Sequence, residues 1–432
     1  MKDDGASSVI WTNWTQDPRW VDIKRPYSVA DVLRLRGSLQ IEYTLASKGA
    51  ERLWNLFQSK PYVAALGATT GNQAIEQVRA GLSAIYASSC QVAADLNGAG
   101  EMYPYGGLSP SDSVPNLVRS INKSLQRADQ IHYAEGKTDI DWFAPIVADA
   151  EAGFGGNLSS FELMKAMIEA GASAVHFEDQ SAIAKKGSLG GRVIVPSQVF
   201  IEKLIAARLA ADVMGVSTLL IARTDANTAR FITGDSDPRD RKFITEQRTS
   251  EGYFGFRGGL EAVIARGLTY APYADLLWYE TTAPDLKEAQ RFAVAIHERF
   301  PGKLFAYNCS ASFDWSRQLD ATTIRNFHVA LSAMGYKFQF VNLAGFHSLN
   351  LGMFDLARGF RETGMAAYAR LQQSEFELAE SYGYEAIAQQ RFVGTDYFND
   401  VAQTIRGSEP TSPKESAVTQ LAASAHASDP KK

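Results

Sequence analysis

Cysteine is scarce in this chain of 432 residues: Cys90 and Cys309 stand far apart, outside any metal-ligand spacing. That excludes a disulfide scaffold and a cysteine-built zinc site, and it suits a reducing compartment. Long apolar runs are missing as well. No window approaches the roughly 18 apolar residues that a membrane span needs. The start, Met1, Lys2, Asp3, Asp4, has no apolar stretch ahead of a cleavage site, so no secretory signal is read there. Positive charge is not in excess, since 43 Lys and Arg face 48 Asp and Glu for a formal net charge of −5. Neither nucleic acid nor a membrane is therefore expected as a partner, and the expected location is cytoplasmic. An acidic ligand would have to be held by a local cluster of cations or by a metal.

What the chain does have is an ordinary globular mix, 45% hydrophobic and 21% charged residues, at a length that suits one large domain or two ordinary ones. Residues 1–60 read as a polar helical segment whose tryptophans, Trp11, Trp14, Trp20 and Trp54, are expected to pack on a larger body. From Tyr62 onward, short apolar runs alternate with helix-period stretches. Eight runs can be counted: Tyr62–Gly67, Ala84–Ser88, Pro145–Asp149, Ala174–Glu178, Thr218–Arg223, Leu276–Glu280, Leu304–Asn308 and Lys337–Asn342. Helices are predicted at Ser159–Ala170, Pro196–Val213, Leu286–Phe300 and Asp320–Met334. Eight strands with helical crossovers close most simply into an α/β, (β/α)8 TIM-type barrel over 61–345. A doubly wound open sheet is the alternative, but the glycine-rich phosphate turn it would need after an early strand is not evident. Residues 346–406, with a long helical stretch at Leu351–Ser381, read as C-terminal helices reaching to another subunit. The tail 407–432 reads as disordered.

Polar residues recur at the strand C-termini: Ser88, Asp149, Glu178, Arg223, Glu280, Asn308 and Asn342. In a barrel these ends converge on the face that carries active sites. Asp149 and Glu151, in Val147-Ala-Asp-Ala-Glu-Ala-Gly-Phe-Gly-Gly156, and Glu178-Asp179 on the next strand would form an oxygen-only site suited to Mg²⁺ or Mn²⁺. The competing reading is that these acids only cap the helices that follow.

Eight ordered segments carry a resemblance: Thr69-Thr-Gly-Asn-Gln, Gln77-Val-Arg-Ala-Gly-Leu, Pro145-Ile-Val-Ala-Asp, Glu151-Ala-Gly-Phe-Gly-Gly, His176-Phe-Glu-Asp-Gln, Ile221-Ala-Arg-Thr-Asp-Ala, Tyr307-Asn-Cys-Ser-Ala-Ser and Leu343-Ala-Gly-Phe-His. Together they resemble the isocitrate lyase family, within the isocitrate lyase/phosphoenolpyruvate mutase superfamily. The resemblance implies a Mg²⁺-dependent barrel, commonly a homotetramer with exchanged helices, that splits a 2-hydroxy tricarboxylate into a 2-oxo acid such as glyoxylate and a dicarboxylate. It implies Asp149 as the direct metal ligand, with Glu151 and Glu178 holding metal-bound waters. Ser88, Ser89 and Arg223 would bind the oxo-acid half, with Cys90 beside them. Asn308, Ser310 and Ser312 would grip a carboxylate of the departing dicarboxylate. Arg223 and Glu280 are also assigned to the catalytic set.

The chain departs from the family pattern at the chemistry. The family's loop signature is Lys-Lys-Cys-Gly-His, and its cysteine moves the proton on the dicarboxylate half. Here the loop reads Lys185-Lys-Gly-Ser-Leu-Gly-Gly-Arg192, one residue shorter and without the cysteine. Lys185, Lys186, Gly187 and Ser188 are the loop's candidates, but a serine hydroxyl cannot take over a thiol's acid–base role near neutral pH. The family's Ser-Gly-Trp is Ser88-Ser-Cys90, its Tyr-Pro-Asp is Tyr103-Pro-Tyr105, and its dicarboxylate-gripping threonine is Asn342. Three readings follow: a lyase for a substituted isocitrate-like substrate that cleaves plain isocitrate poorly; a 2-oxo-acid hydrolase, decarboxylase or mutase of the superfamily; or a non-catalytic carboxylate binder. His176, His347 and Cys309 are placed as site or core residues with no preference for the two histidines and a structural role for the cysteine.

Overall fold

The computed structural model describes residues 10, 12–20, 22–182 and 190–407. In chain order its strands are β1 Val63–Gly67, β2 Ala84–Ala87, β3 Ile146–Asp149, β4 Ala174–Glu178, β5 Arg192–Ile194, β6 Leu219–Thr224, β7 Ala229–Ile232, β8 Ile244–Arg248, β9 Phe254–Phe256, β10 Leu276–Tyr279, β11 Leu304–Asn308 and β12 Tyr336–Val341. Eight of these form a closed parallel barrel, running β1-β2-β3-β4-β6-β10-β11-β12 and back to β1. They coincide with the eight apolar runs read from the sequence. The fold is a (β/α)8 barrel.

The predicted helices are also present, at Asn157–Ala170, Ser197–Met214, Leu286–His297 and Ala321–Ala333. Two of them show what a helix-capping acid looks like here. Asp285 and Asp320 each accept two backbone N–H bonds at a helix start. The helix after β3 instead begins at Gly156 with no side-chain cap. Asp149 and Glu151 are therefore left for another use, and the capping alternative does not apply to them.

Inside the barrel, Ala65, Tyr86, Val147, Ile221, Trp278, Phe338 and Phe340 pack into one cluster with Ala50, Leu53 and Phe57 of the helix Thr44–Ser59. That helix plugs the N-terminal end of the barrel. Gly49 permits the approach, because a Cβ there would lie 2.2 Å from Ser173 Oγ. Trp14 and Trp20 make cation–π contacts with Arg25 and Arg19, and Arg19 also covers Trp54. Trp11 lies outside the described residues.

A small second sheet, in the order β5-β7-β9-β8, was not foreseen. Its strands are three to five residues long and interrupt the βα rhythm between β4 and β10. The chain divides into two compact units: residues 1–69, 83–119 and 145–344, and residues 70–82, 120–144 and 345 onward. In the second unit Arg79 pairs with Glu385 at 3.0 Å and Arg391 with Glu135 at 3.3 Å. The long predicted helix there is two helices, Ala344–Thr363 and Met365–Tyr382, broken at Gly364 with φ 56°. The tail from 408 lies outside the described residues. No helix among the described residues is long and apolar enough to cross a membrane.

Candidate active site

Strand register puts the chemistry side by side. Asp149 of β3 is level with His176 of β4, Glu178 of β4 with Arg223 of β6, and Arg223 with Trp278 of β10. Parallel pairing at a common height brings these C-terminal strand residues to one mouth.

The turn after β3 is held in a conformation that side chains seldom adopt. Glu151 has φ 52° and Phe154 φ 53°, both non-glycine residues in the left-handed region. Each costs of order 1 kcal/mol and persists only where surroundings over-determine it, as they do at functional sites. Glu151 N–H donates to Asp149 Oδ1 at 2.9 Å, and Glu178 N–H donates to the Glu151 carbonyl at 2.9 Å. The loop bearing Tyr105 comes close on the other side. A Cβ on Gly106 would lie 2.3 Å from Glu151 Oε1, so only glycine fits.

Asp149 and Glu151 are both buried, and the Ser89 hydroxyl lies within hydrogen-bonding distance of both, Asp149 Oδ2 being at 2.5 Å. One hydroxyl proton cannot serve two carboxylates at once, and the Ser89 N–H also donates to Asp149 Oδ2, at 3.2 Å. Tyr86 O–H is 2.8 Å from His176 Nε2, and that nitrogen is 3.3 Å from Asp149 Oδ1. Burial, followed by the neighbouring Asp149, holds the Tyr86 phenol well above its ordinary pKa, so it stays protonated. His176 is thus part of the mouth and not only core. His347 is exposed.

Arg223 is a cation of the mouth, with Arg192 also in electrostatic reach of Glu280 and Glu178. Arg223 lies 3.5 Å from Glu178 and 3.8 Å from Glu280, and its guanidinium stacks 4.3 Å over Trp278. Burial alone would lower its pKa, but Glu280, Glu178 and Asp149 outweigh burial and raise it. Asp225 also accepts from Arg223, at 2.9 Å, and pairs with Arg192. Asp179 turns away from the mouth: Thr224, Arg266 and the Asp225 N–H all donate to it.

The remaining sequence candidates are distributed as follows. Asn308 donates to Glu280 Oε1 at 3.4 Å, which fixes its amide so that Oδ1 is left buried without a hydrogen-bond partner; Glu280 Oε2 and Asn342 Oδ1 are in the same position. Ser310 and Ser312 hydroxyls bond each other at 2.8 Å. Ser88 caps the short helix Ser89–Gln91, and Cys90 in that helix is half-buried. Cys309 is buried, which pushes its thiol up to about 12 and keeps it inert. Lys185, Lys186, Gly187 and Ser188 lie outside the described residues. Sequence reasoning missed Tyr86, Arg192, Asp225 and the bridging role of Ser89. Tyr86 sits mid-run among apolar neighbours, and only the barrel's alternation could have turned it inward.

The donor set can be tested against a hard divalent cation. Asp149, Glu151, Glu178 and Glu280 are four buried carboxylates, with Arg223 paired to Glu178 and Glu280 and Arg192 also within their electrostatic reach. Their hard carboxylate oxygens are of the kind that suits Mg²⁺ or Mn²⁺. Among the described residues no cluster of three Asp, Glu, His or Cys side chains is arranged to grip an ion directly.

The profile of the Isocitrate lyase family matches residues 8–247 and 245–419. An isocitrate lyase of Halalkalibacterium halodurans is 62% identical over 396 residues, covering 91% of this chain and 92% of that protein. An isocitrate lyase of Escherichia coli is 56% identical over 405 residues, covering 91% and 93% respectively. Among solved structures, an oxaloacetate acetylhydrolase bound to 3,3-difluorooxalacetate aligns with TM-score 0.57 at 17% identity, over 85% of this chain and 99% of its own, a likeness of fold alone. On the family profile and these identities, the chain belongs to the isocitrate lyase family.

Proposed function

We propose that this lyase is a Mg²⁺-dependent carbon–carbon lyase for a substituted, isocitrate-like 2-hydroxy di- or tricarboxylate, and that plain isocitrate is a poor substrate. The observation that carries the reading is the sequence 185–188, Lys-Lys-Gly-Ser, where the family's pattern has its cysteine acid. Asp149 would hold the ion directly, and Glu151 and Glu178 would hold it through water. A bound divalent cation would polarise the hydroxyl oxygen of the bond being broken. Arg223 would pair with a carboxylate of the oxo-acid half. Asn308, Ser310, Ser312 and Asn342 would hold the leaving dicarboxylate without adding charge. Cys90, a small half-buried side chain where the family pattern has an indole, leaves room for a substituent on the oxo-acid half.

A second reading, plain isocitrate lyase activity, is favoured by the 62% and 56% identities to isocitrate lyases. The two are separated by offering the full chain with Mg²⁺ isocitrate, 2-methylisocitrate, longer alkyl analogues, oxaloacetate and phosphonopyruvate, and following release of 2-oxo acid or phosphate. We expect an alkyl-substituted substrate to exceed isocitrate by at least about tenfold in kcat/KM, the usual worth of a filled methylene pocket. Isocitrate as the best substrate would refute this. Oxaloacetate or phosphonopyruvate turnover would favour the hydrolase or mutase alternative, and no turnover with no thermal stabilisation by ligand would favour a carboxylate binder.

The chain is further proposed to act as a homotetramer. Leu351, Met353, Phe354, Met365 and Tyr382 of the C-terminal helices are 61–80% exposed, an apolar load that suits burial against further copies. Light scattering should return four chain masses.

A further inference from the structure

We propose that Lys203 is a positioning residue for the metal turn: its ammonium group holds the Ala152 carbonyl and so keeps Glu151 in its left-handed conformation. The inference rests on the metal reading above for its functional meaning, but its structural content stands on the turn itself.

Lys203 lies in the helix Ser197–Met214 and is only 2% exposed. Lysines are almost never so buried without a use for the charge, and burial pushes this one down to about 8 although Glu178 and Asp179 pull the other way. A methionine could fill the same stem volume without that desolvation cost. What methionine could not supply is the hydrogen bond from Nζ to the Ala152 carbonyl, 2.7 Å long and buried.

Three consecutive carbonyls of the turn are taken in this way. Ala150 O accepts from Gly153 N–H at 2.9 Å, Glu151 O from Glu178 N–H at 2.9 Å, and Ala152 O from Lys203. The first two bonds are backbone to backbone and do not depend on side chains. The third is supplied by the Lys203 side chain, and it acts on the Ala152–Gly153 peptide, which follows Glu151, φ 52°, and leads into Gly153, φ 81°. Without it, a buried carbonyl loses its partner beside a strained residue. The Ala152–Gly153 peptide can then rotate, the turn that over-determines the left-handed Glu151 loosens, Glu151 can relax to the right-handed region, and its carboxylate leaves Ser89.

The test uses the full chain as Lys203→Met, with Mn²⁺ alone as the probe, titrated calorimetrically and by electron paramagnetic resonance. Asp149→Asn serves as the control that removes the direct ligand. A residue that orients a metal ligand is worth about 10- to 100-fold in affinity. We therefore expect Lys203→Met to bind Mn²⁺ at least about tenfold more weakly. Its activity should recover as Mn²⁺ is raised, a cure that a general packing defect would not show. Hydrogen exchange at the Ala150, Glu151 and Gly153 amides should quicken while the other barrel strands stay protected. If Lys203→Met does not fold, Lys203→Gln, which keeps a shorter donor, enters the same measurements. Mn²⁺ affinity within twofold of the unaltered chain together with unchanged exchange in 150–156 overturns the proposal. If the unaltered chain fails to bind Mn²⁺ any better than Asp149→Asn, the metal reading falls. Quickened exchange in Lys203→Met would then still establish the hold on the turn.

Discussion

The two ends of the barrel solve opposite electrostatic problems. At the N-terminal end, Asp275 is buried between Arg208 and Arg19 and also accepts the Leu220 N–H at 2.7 Å. Arg208 donates its other nitrogen to the Thr218 carbonyl, and Lys303 Nζ donates to the Ala274 carbonyl. Charges there are matched and donors are placed. At the C-terminal end, Asp149, Glu151, Glu178 and Glu280 crowd together beside Arg223 and Arg192, Ser89 is claimed by two carboxylates, and Glu151 sits in a strained conformation. One end is built to stay as it is. The other crowds carboxylates together, and on the proposed function a bound cation and acid would complete it.

The sharpest way to break this contrast is to remove a charge at each end. Asp149→Asn should lower kcat/KM by at least about 1000-fold, near 4 kcal/mol, while the ligand-free protein unfolds at the same temperature or higher, because a repulsive carboxylate is gone. A clear loss of ligand-free stability would contradict the picture of crowded carboxylates that repel one another. Asp275→Asn should do the reverse. Leaving Arg208 and Arg19 buried without a counter-charge should cost about 3 kcal/mol in urea unfolding, with kcat/KM unchanged in the protein that remains folded.

Ligand binding gives a smaller effect. At 100 times its Kd, Mg²⁺ should stabilise the chain by about 2.7 kcal/mol, and Asp149→Asn should lose that gain while Asp275→Asn keeps it. Equal stabilisation of both variants, read by thermal unfolding, would place the ion elsewhere. The smallest effect belongs to pH. Burial opposes ionisation of Asp275, but Arg208 and Arg19 hold its carboxyl at about 2, below its ordinary 3.8. A carboxylate with a lowered folded pKa contributes stability above its unfolded pKa and loses it as pH falls through the folded value. About 2 kcal/mol should thus disappear between pH 4 and pH 2. Asp275→Asn should flatten that part of the acid-unfolding curve.

The barrel was legible in the sequence because its strands are buried on both faces and read as unbroken apolar runs closed by a polar residue. Asp149, Glu178, Arg223, Glu280 and Asn308 were found by that rule alone. Two kinds of feature escaped it. The sheet β5-β7-β9-β8 has strands too short to form a periodic signal. The turn around Glu151 depends on a backbone angle, and glutamate and phenylalanine do not announce a left-handed conformation as Gly153 does. The partners of Ser89, Tyr86 and Lys203 depend on packing between segments 51 to 90 residues apart, for which local sequence holds no record.

The closure of β12 on β1 has a consequence for how the chain is made. Val63–Leu66 pair with Phe338–Val341, so the last seam cannot form until residue 341 of 432 has left the ribosome. Until then the nascent sheet has two open edges, at β1 and at the most recent strand. Such edges recruit other chains. Refolding from denaturant should therefore favour dilute protein and be rescued by a chaperone that shields unpaired strands, even though the finished barrel has no edge at all.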